Sequence, residues 1–209
     1  MKSLLTVCIS ILLGGCASSY VSFQNIEKPK KQYHKIFVIT IFNEINVKTL
    51  NEETYDKYFR DNINDLKSMD SRRLLENVLR NEISNPRTPI TSSKDKFKIN
   101  IDINYNDFIS TLRKSDTEAI LLINETDYYY EVSERISKCG EIKKSESPKA
   151  VFQAYLIDIN SMQPFWVGKI YSSGTQWDDA GTIYRSMSRR LNKQLIKEKI
   201  LLPPLLIRK

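Results

Sequence analysis

Residues 35–42 have the sequence Lys-Ile-Phe-Val-Ile-Thr-Ile-Phe, a nearly continuous run of β-branched and aromatic side chains. Such a run predicts a strand that is buried on both faces. Residues 119–123, Ala-Ile-Leu-Leu-Ile, predict a second buried strand, which continues through polar and aromatic residues to Tyr130. Both runs therefore belong in the interior of a sheet, and the segments around them are expected to supply the covering helices.

The segment between these two runs predicts helices and one more strand. Asp70 and Ser71 precede apolar residues at helical spacing, which predicts a capped amphipathic helix that stops before the prolines at 86 and 89. Residues 54–66 either extend this helix or form a separate one. In residues 97–103 apolar and polar side chains alternate as in a half-buried strand, and residues 106–114 predict a further helix.

The C-terminal half predicts two more strands and a closing helix. Residues 133–149 are charged and contain a glycine and a proline, so we expect a loop that is a candidate for disorder. Residues 151–159 and 164–173 predict two strands joined by a four-residue hairpin loop. Asp178 and Asp179 suit the start of a final helix. Its apolar positions fall every four residues: Ile183, Met187, Leu191 and Leu195.

The order of these elements predicts an α/β (α+β) fold, with a single mixed β-sheet of about five strands packed with about three helices. Residues 35–204 are expected to form a single α/β domain, a length that is ordinary for one folding unit. With 41% hydrophobic residues, eleven Tyr and eight Phe, the chain has enough apolar material for a core.

The first 15 residues have the composition of a secretory signal. A short basic start, Met1-Lys2-Ser3, precedes an apolar run of about ten residues, whereas a transmembrane helix needs roughly 20. The run ends in Leu13-Gly14-Gly15-Cys16 and a polar string. This ending resembles a bacterial lipobox, with Leu13, Gly14 and Gly15 as the recognition residues.

The lipobox resemblance implies a lipoprotein. It implies that the Cys16 thiol receives a diacylglycerol, that residues 1–15 are removed, and that the new amino group is acylated with a fatty acid such as palmitate. Two or more acyl chains form a stable anchor where one binds only marginally. Because Ala17 is not the aspartate associated with inner-membrane retention, we expect an outer membrane lipoprotein facing the periplasm, or a cell membrane lipoprotein if the source lacks an outer membrane. The alternatives are an ordinary signal peptide cut at Ala17 and a cytosolic protein with an apolar start.

Residues 16–34 are expected to form the lipidated cysteine and a tether. Cys8 leaves with the signal and Cys16 is lipidated, so Cys139 has no partner for a disulfide in its own chain. Losing Lys2 leaves 31 basic and 25 acidic residues, a formal charge of +6. The basic cluster at residues 28–31 either contacts anionic lipid headgroups or wall polymers, or is a charged linker.

The sequence offers little for catalysis. His34 is the only histidine, which disfavours triads and two-histidine metal sites, and no phosphate-cradling glycine loop is present. The adjacent acids at 52–53 and 178–179 are better explained by a solvated loop and a helix start. We therefore expect no enzyme activity, no cofactor and no metal site. A nucleic-acid partner is also excluded, since an envelope lipoprotein lacks access to the cytosol.

Residues 155–166, Tyr-Leu-Ile-Asp-Ile-Asn-Ser-Met-Gln-Pro-Phe-Trp, are followed by the final helix. This arrangement resembles the C-terminal half of a group of uncharacterised bacterial lipoproteins, and the order of elements is similar to the N-terminal domain of the TolB translocation protein. Related domains occur in lipoprotein activators of cell-wall synthases and in the curli-secretion lipoprotein. The resemblance implies a fold but does not imply a particular function. In it, Asp158 is expected to bond the turn amides and Trp166 to cover the sheet.

Three aromatic residues are candidates for a binding surface. Tyr128 and Tyr130 point to the same side of their strand and could stack on a sugar or a peptide, and Trp166 could join them as a ligand platform. The alternative for all three is core and edge packing. We expect a membrane-anchored, non-catalytic binding or assembly factor, whose partner is an envelope protein or a cell-wall component. The alternative is a cell-envelope enzyme that acts on wall polymers.

Overall fold

A computed structural model describes residues 17–27, 29, 31–42, 45–136 and 139–205. Within these residues six strands form one mixed sheet, in the order β1-β6-β5-β4-β2-β3. The predicted α/β fold with a single mixed sheet is confirmed, with six strands instead of about five. The strands are β1 (Ser18–Asn25), β2 (Ile36–Ile41), β3 (Ile90–Ser92), β4 (Ala119–Ile136), β5 (Ile142–Asp158) and β6 (Pro164–Ser173).

Strand β2 pairs in parallel with β3 and with β4, and the remaining neighbours are antiparallel. Every side chain of β2 is buried, because two separate apolar clusters pack on its two faces. This arrangement confirms the prediction of a strand buried on both sides. From Tyr130 onward, the side chains of β4 are exposed to solvent.

Helices cover the two faces of the sheet unequally. Helices α3 and α6 pack on one face, which we call the helix-covered face, and extend across it to β1. On the opposite face the other helices pack only on β2, on the first half of β4 and on the end of β5. The helical segments are α1 (Glu52–Tyr55), a π-helical turn (Asp56–Arg60), α2 (Asp61–Asn64), α3 (Met69–Ile83), α4 (Ser93–Lys96), α5 (Tyr105–Lys114) and α6 (Ala180–Lys197).

The closing helix follows the sequence prediction closely. The Asp179 side chain caps α6 by accepting a hydrogen bond from the Thr182 backbone N–H at 2.8 Å. The four residues at spacing four are all buried: Ile183, Met187, Leu191 and Leu195. No helix among the described residues has the length and apolar character needed to cross a bilayer.

Three segments differ from their predictions. Residues 18–25 were expected to lie in a tether but form edge strand β1, which pairs with β6 along its whole length. Residues 97–103 form no strand, since Asn100 has a left-handed backbone (φ 63°) that interrupts an extended segment. The strand of this region is β3, a short edge strand that lies earlier in the chain. The expected loop at 133–149 is mostly strand, because residues 131–136 pair in antiparallel register with residues 142–147.

This last segment forms a two-stranded arm, residues 130–136 and 142–148, which projects beyond the last pairing of β5 with β6. An ion pair between Lys144 and Glu134 at 2.8 Å joins its two strands, and a second between Lys149 and Glu131 at 3.2 Å lies at its base. Cys139 is exposed at its tip. The charged segment that was predicted to be a loop is therefore a hairpin, in which the opposite charges of Glu134 and Lys144 face each other across the strands.

The β5–β6 turn has the expected chemistry. One carboxylate oxygen of Asp158 accepts hydrogen bonds from the backbone N–H groups of Asn160 and Ser161 at 2.9 and 3.0 Å. The other accepts a hydrogen bond from the Tyr33 hydroxyl at 3.0 Å. The turn has no glycine, and Met162 occupies its left-handed position (φ 56°). The structural role predicted for Asp158 is confirmed.

Candidate functional site

The predicted lipidation site is outside the described residues. This applies to Cys16, to the recognition residues Leu13, Gly14 and Gly15, and to the signal peptide as a whole. The anchor therefore stays a prediction from sequence. Ala17 is the first described residue and directly precedes β1.

The predicted aromatic surface is only partly assembled. Tyr128 and Tyr130 lie side by side on the helix-covered face, with ring centroids 5.9 Å apart, and Tyr130 is 55% exposed. Burial, followed by the hydrogen bond with Tyr130, raises the pKa of Tyr128 above its ordinary value. Trp166 is fully buried, so the prediction that it contributes to a binding surface is wrong.

Trp166 is buried because its position in β6 turns it toward α6. It stacks on Phe23 of β1, with ring centroids 6.1 Å apart. A Cβ atom at Gly168 would lie 2.5 Å from the indole ring, so the ring occupies the space above that glycine. The indole fills a core position between sheet and helix, which is the packing alternative for this residue.

A different set of tyrosines is exposed on the face opposite α6. We call this the open face, formed by β1, β6, β5 and the base of the arm. Tyr20 of β1 and Tyr171 of β6 are direct cross-strand partners, 62% and 45% exposed. Tyr129, 45% exposed, lines the same depression of about 330 Å³. Three aromatic rings therefore stand on rigid strands without a covering element.

The open face continues into a longer groove. Beside the tyrosines, the Lys169 ammonium group lies 5.1 Å from the centre of the Tyr171 ring. Beyond Lys169 an open groove of about 650 Å³ runs between β1 and residues 46–48, with Gln153 and Tyr155 on its floor. The Tyr155 hydroxyl donates to the Ile45 carbonyl at 3.2 Å, which holds that wall in place. Aromatic rings, amides, three lysines (Lys48, Lys149 and Lys169) and Glu27 thus line the depression and the groove of the open face.

A half-buried carboxyl group, that of Glu125, marks the boundary between the part of the sheet that is covered on both faces and the part that has an open face. A β-bulge interrupts the pairing of β4 with β5 between Glu125 and Asp127. Burial raises the pKa of Glu125 to about 7, with a smaller contribution from Asp127, while hydrogen bonding to Tyr184 opposes the shift. A carboxyl group with this pKa changes its charge near neutral pH.

A second carboxyl group, that of Glu76, has a structural role inside the fold. Glu76 of α3 is fully buried and accepts hydrogen bonds from the Thr40 N–H at 3.2 Å, the Ser93 hydroxyl at 2.6 Å and the Lys94 N–H at 3.3 Å. Burial raises the pKa of Glu76, and the bonds to it and the charge of Arg72 oppose that shift. All of its partners are internal, so Glu76 joins α3 to β2 and α4.

The arrangement is suited to binding. Aromatic rings on strands offer flat apolar surfaces with polar edges, and neighbouring amides and cations can fix the orientation of a ligand. Within the described residues, no group of three or more His, Cys, Asp and Glu side chains is placed to hold a metal ion. The exposed aromatic and polar residues of the open face line a surface depression and a groove.

The sequence prediction missed Tyr20 and Tyr171. Tyr20 was assigned to a tether, and Tyr171, the single tyrosine of the predicted strand 164–173, was given no role. A usable signal existed, since residues 19–24, Ser-Tyr-Val-Ser-Phe-Gln, partly alternate polar with apolar side chains. The exposed Trp177, 85% accessible in the loop before α6, also had no counterpart among the predictions.

Comparisons with known proteins describe the fold alone. No protein-family model and no curated protein matches the sequence. A variant of the PelC dodecamer from Paraburkholderia phytofirmans matches with a TM-score of 0.50 and 10% identity, over 88% of this chain and 99% of that one. Lipoprotein GNA1162 from Neisseria meningitidis matches with a TM-score of 0.35 and 16% identity, over 78% of this chain and 98% of that one.

Proposed function

We propose that this chain is a lipoprotein of the bacterial envelope, anchored in the outer membrane and facing the periplasm, that binds another envelope component without catalysing a reaction. The observation that carries the binding role is the open face, where Tyr20, Tyr129 and Tyr171 are exposed on rigid strands. Large rings held on strands lose little conformational freedom when a ligand stacks on them. The partner is an envelope protein or a cell-wall polymer.

The lipobox supports the anchored part of the proposal. Its test compares the wild type with the Cys16→Ser variant, both expressed in a bacterium, by intact-mass analysis and membrane fractionation. We expect the wild type to gain the mass of a diacylglyceryl group and a fatty acid and to sediment with membranes. The variant should lack that mass. Equal masses and equal solubility of the two proteins would refute the anchor.

The open face is tested with matched tyrosine variants of the full chain. Binding to isolated cell-wall sacculi, and crosslinking to envelope proteins in intact cells, are measured for Tyr20→Ala/Tyr171→Ala and for Tyr130→Ala. Tyr130 is a suitable control because it is similarly exposed but lies on the helix-covered side of the arm. We expect about a tenfold or greater loss with the double variant alone, typical of aromatic contacts at the centre of an interface. Equal binding by both variants would remove the open face from the proposal.

Self-association is measured on the same samples, because PelC is a dodecamer. Light scattering of the purified chain gives its mass in solution. If the chain assembles with itself and the Tyr20→Ala/Tyr171→Ala variant does not, the component bound at the open face is a second copy of this chain.

A further inference from the structure

A basic groove lies where β1 begins, on the side of the sheet away from the open face. Its volume is about 370 Å³, between residues 17–19 and one side of α6. The helix residues that line it recur at intervals of three or four, so they share that side of α6. They are Thr182, Arg185, Ser186, Arg189, Arg190 and Lys193.

The start of β1 is fixed directly on this helix. The Ser186 hydroxyl donates a hydrogen bond to the Ala17 carbonyl at 3.0 Å. The Ser19 hydroxyl donates to the Ser186 hydroxyl at 2.9 Å and lies 2.7 Å from the Ser172 hydroxyl on β6. Ala17, which lines the groove, directly follows Cys16 in the sequence, and Cys16 carries the lipid in the proposed function.

The groove has an excess of positive charge. Four basic residues and no acidic residue line it. Glu82 of α3 lies beside it and pairs with Arg189 at 2.8 Å and with Arg185 at 3.8 Å. Arg190 and Lys193 are both exposed, and within the described residues neither forms an ion pair. Two cations are therefore available to an anion from solution or from a membrane.

We propose that this groove binds the phosphate of an anionic phospholipid headgroup in the leaflet that holds the Cys16 acyl chains. The inference rests on the lipid anchor of the proposed function. Guanidinium and ammonium groups are the usual partners of phosphate, and each basic residue near an anionic membrane surface raises binding about fivefold. The position beside Ala17 would bring these groups to the headgroup layer, because the anchor holds that end of the sheet at the membrane.

Lys31, the lysine of the 28–31 cluster that the structure describes, does not line this groove. Strand β1 runs from Ser18, opposite Ser173, to Asn25, opposite Trp166, so Lys31 follows the far end of the strand. Lys31 there pairs with Glu118 at 2.6 Å. Among the described residues, the cations that share a groove with Ala17 are thus those of α6, which are remote from Ala17 in sequence.

The test uses the full chain, purified from bacterial membranes in detergent and reconstituted into nanodiscs. One set of nanodiscs contains phosphatidylcholine alone, and the other contains an added fraction of phosphatidylglycerol. Acetylation by a water-soluble amine reagent is followed by mass spectrometry at Lys193. Exposed Lys57, on the opposite side of the sheet, is the internal control. Intact mass of the same samples reports lipidation.

We expect phosphatidylglycerol to slow acetylation of Lys193 about fivefold or more and to leave Lys57 unchanged. Arg190→Glu should abolish this protection, and the control Lys57→Glu should keep it. If glycerol phosphate added to phosphatidylcholine nanodiscs protects Lys193 as well as the lipid does, the site is a soluble-phosphate site and the membrane proposal is wrong.

Two failures are distinguishable. A lipidated chain whose Lys193 reacts equally in both nanodiscs overturns the headgroup site and leaves the proposed function intact. A chain without lipid mass overturns the anchor, and the headgroup site falls with it.

Discussion

The two ends of this sheet are built from the same kinds of residues but are used differently. Around β2 and the first half of β4, apolar clusters pack on both faces, and Phe37, Phe108 and Tyr55 are completely buried. Around β1 and β6, only the side facing α6 is buried, and Tyr20 and Tyr171 remain exposed. Aromatic residues therefore stabilise the fold at one end and are available to a ligand at the other. Coverage by helices, and not residue type, makes the difference.

The largest expected effect comes from removing a ring at the closed end. Phe108 contacts four other rings: Phe37, Tyr55, Phe59 and Phe97. Because Phe108→Ala leaves a cavity among them, we expect a loss of about 3 to 5 kcal/mol in the free energy of unfolding, measured by urea denaturation. The matched variant Tyr171→Ala should cost less than about 1 kcal/mol. Similar losses from the two variants would contradict the comparison.

A smaller loss is expected at the polar link of the closed end. Glu76→Ala leaves the N–H groups of Thr40 and Lys94 and the hydroxyl of Ser93 without their acceptor. We expect a loss of about 2 to 4 kcal/mol in urea denaturation, since buried donors become unpaired. Glu76→Gln keeps an acceptor and removes the cost of burying a charge, so it should lose less than half as much. If Gln is as harmful as Ala, the charge and not the hydrogen bonding is what stabilises this site.

The smallest effect concerns the boundary itself, at Glu125. Its pKa of about 7 in the folded protein is higher than its ordinary value of 4.5, so the folded state binds more protons between these values. Stability should therefore decrease as the pH rises from about 4.5 to about 7, and stay lower above that. Glu125→Gln should remove this dependence and be about 1 to 3 kcal/mol more stable than the wild type at pH 8. Urea denaturation at pH 4.5 and 8 measures it, and parallel curves for the two proteins would show that Glu125 is not the responsible group.

Much of the closed end could be predicted from local patterns. Residues 36–41 are a strand because their β-branched and aromatic side chains fit a sheet interior, and α6 follows its apolar spacing residue by residue. The capping role of Asp179 and the turn-binding role of Asp158 were also predictable, because a short carboxylate side chain bonds nearby backbone amides. These features depend on residues within a few positions of each other.

The candidate site could not be predicted in the same way. Trp166 and Tyr171 belong to one strand, yet the first is buried under α6 and the second is exposed. Alternation shows that they face opposite sides, but only the placement of α6 decides which side is covered. Tyr20 reaches the site because residues 18–25 pair with β6, about 150 positions further along the chain.

By itself the sequence determined the class of fold, the buried central strands, the caps of the closing helix and the expectation of a lipid anchor at Cys16. The tertiary structure decided that the residues after Cys16 form an edge strand, that the charged segment near Cys139 forms an arm, and which tyrosines are open to a partner. The physical reason is the range of the interactions. Periodicity and capping depend on residues within one helix or strand. An edge strand of mixed polar and apolar residues is instead stable only when a strand distant in sequence supplies its hydrogen bonds and a distant helix covers one of its faces.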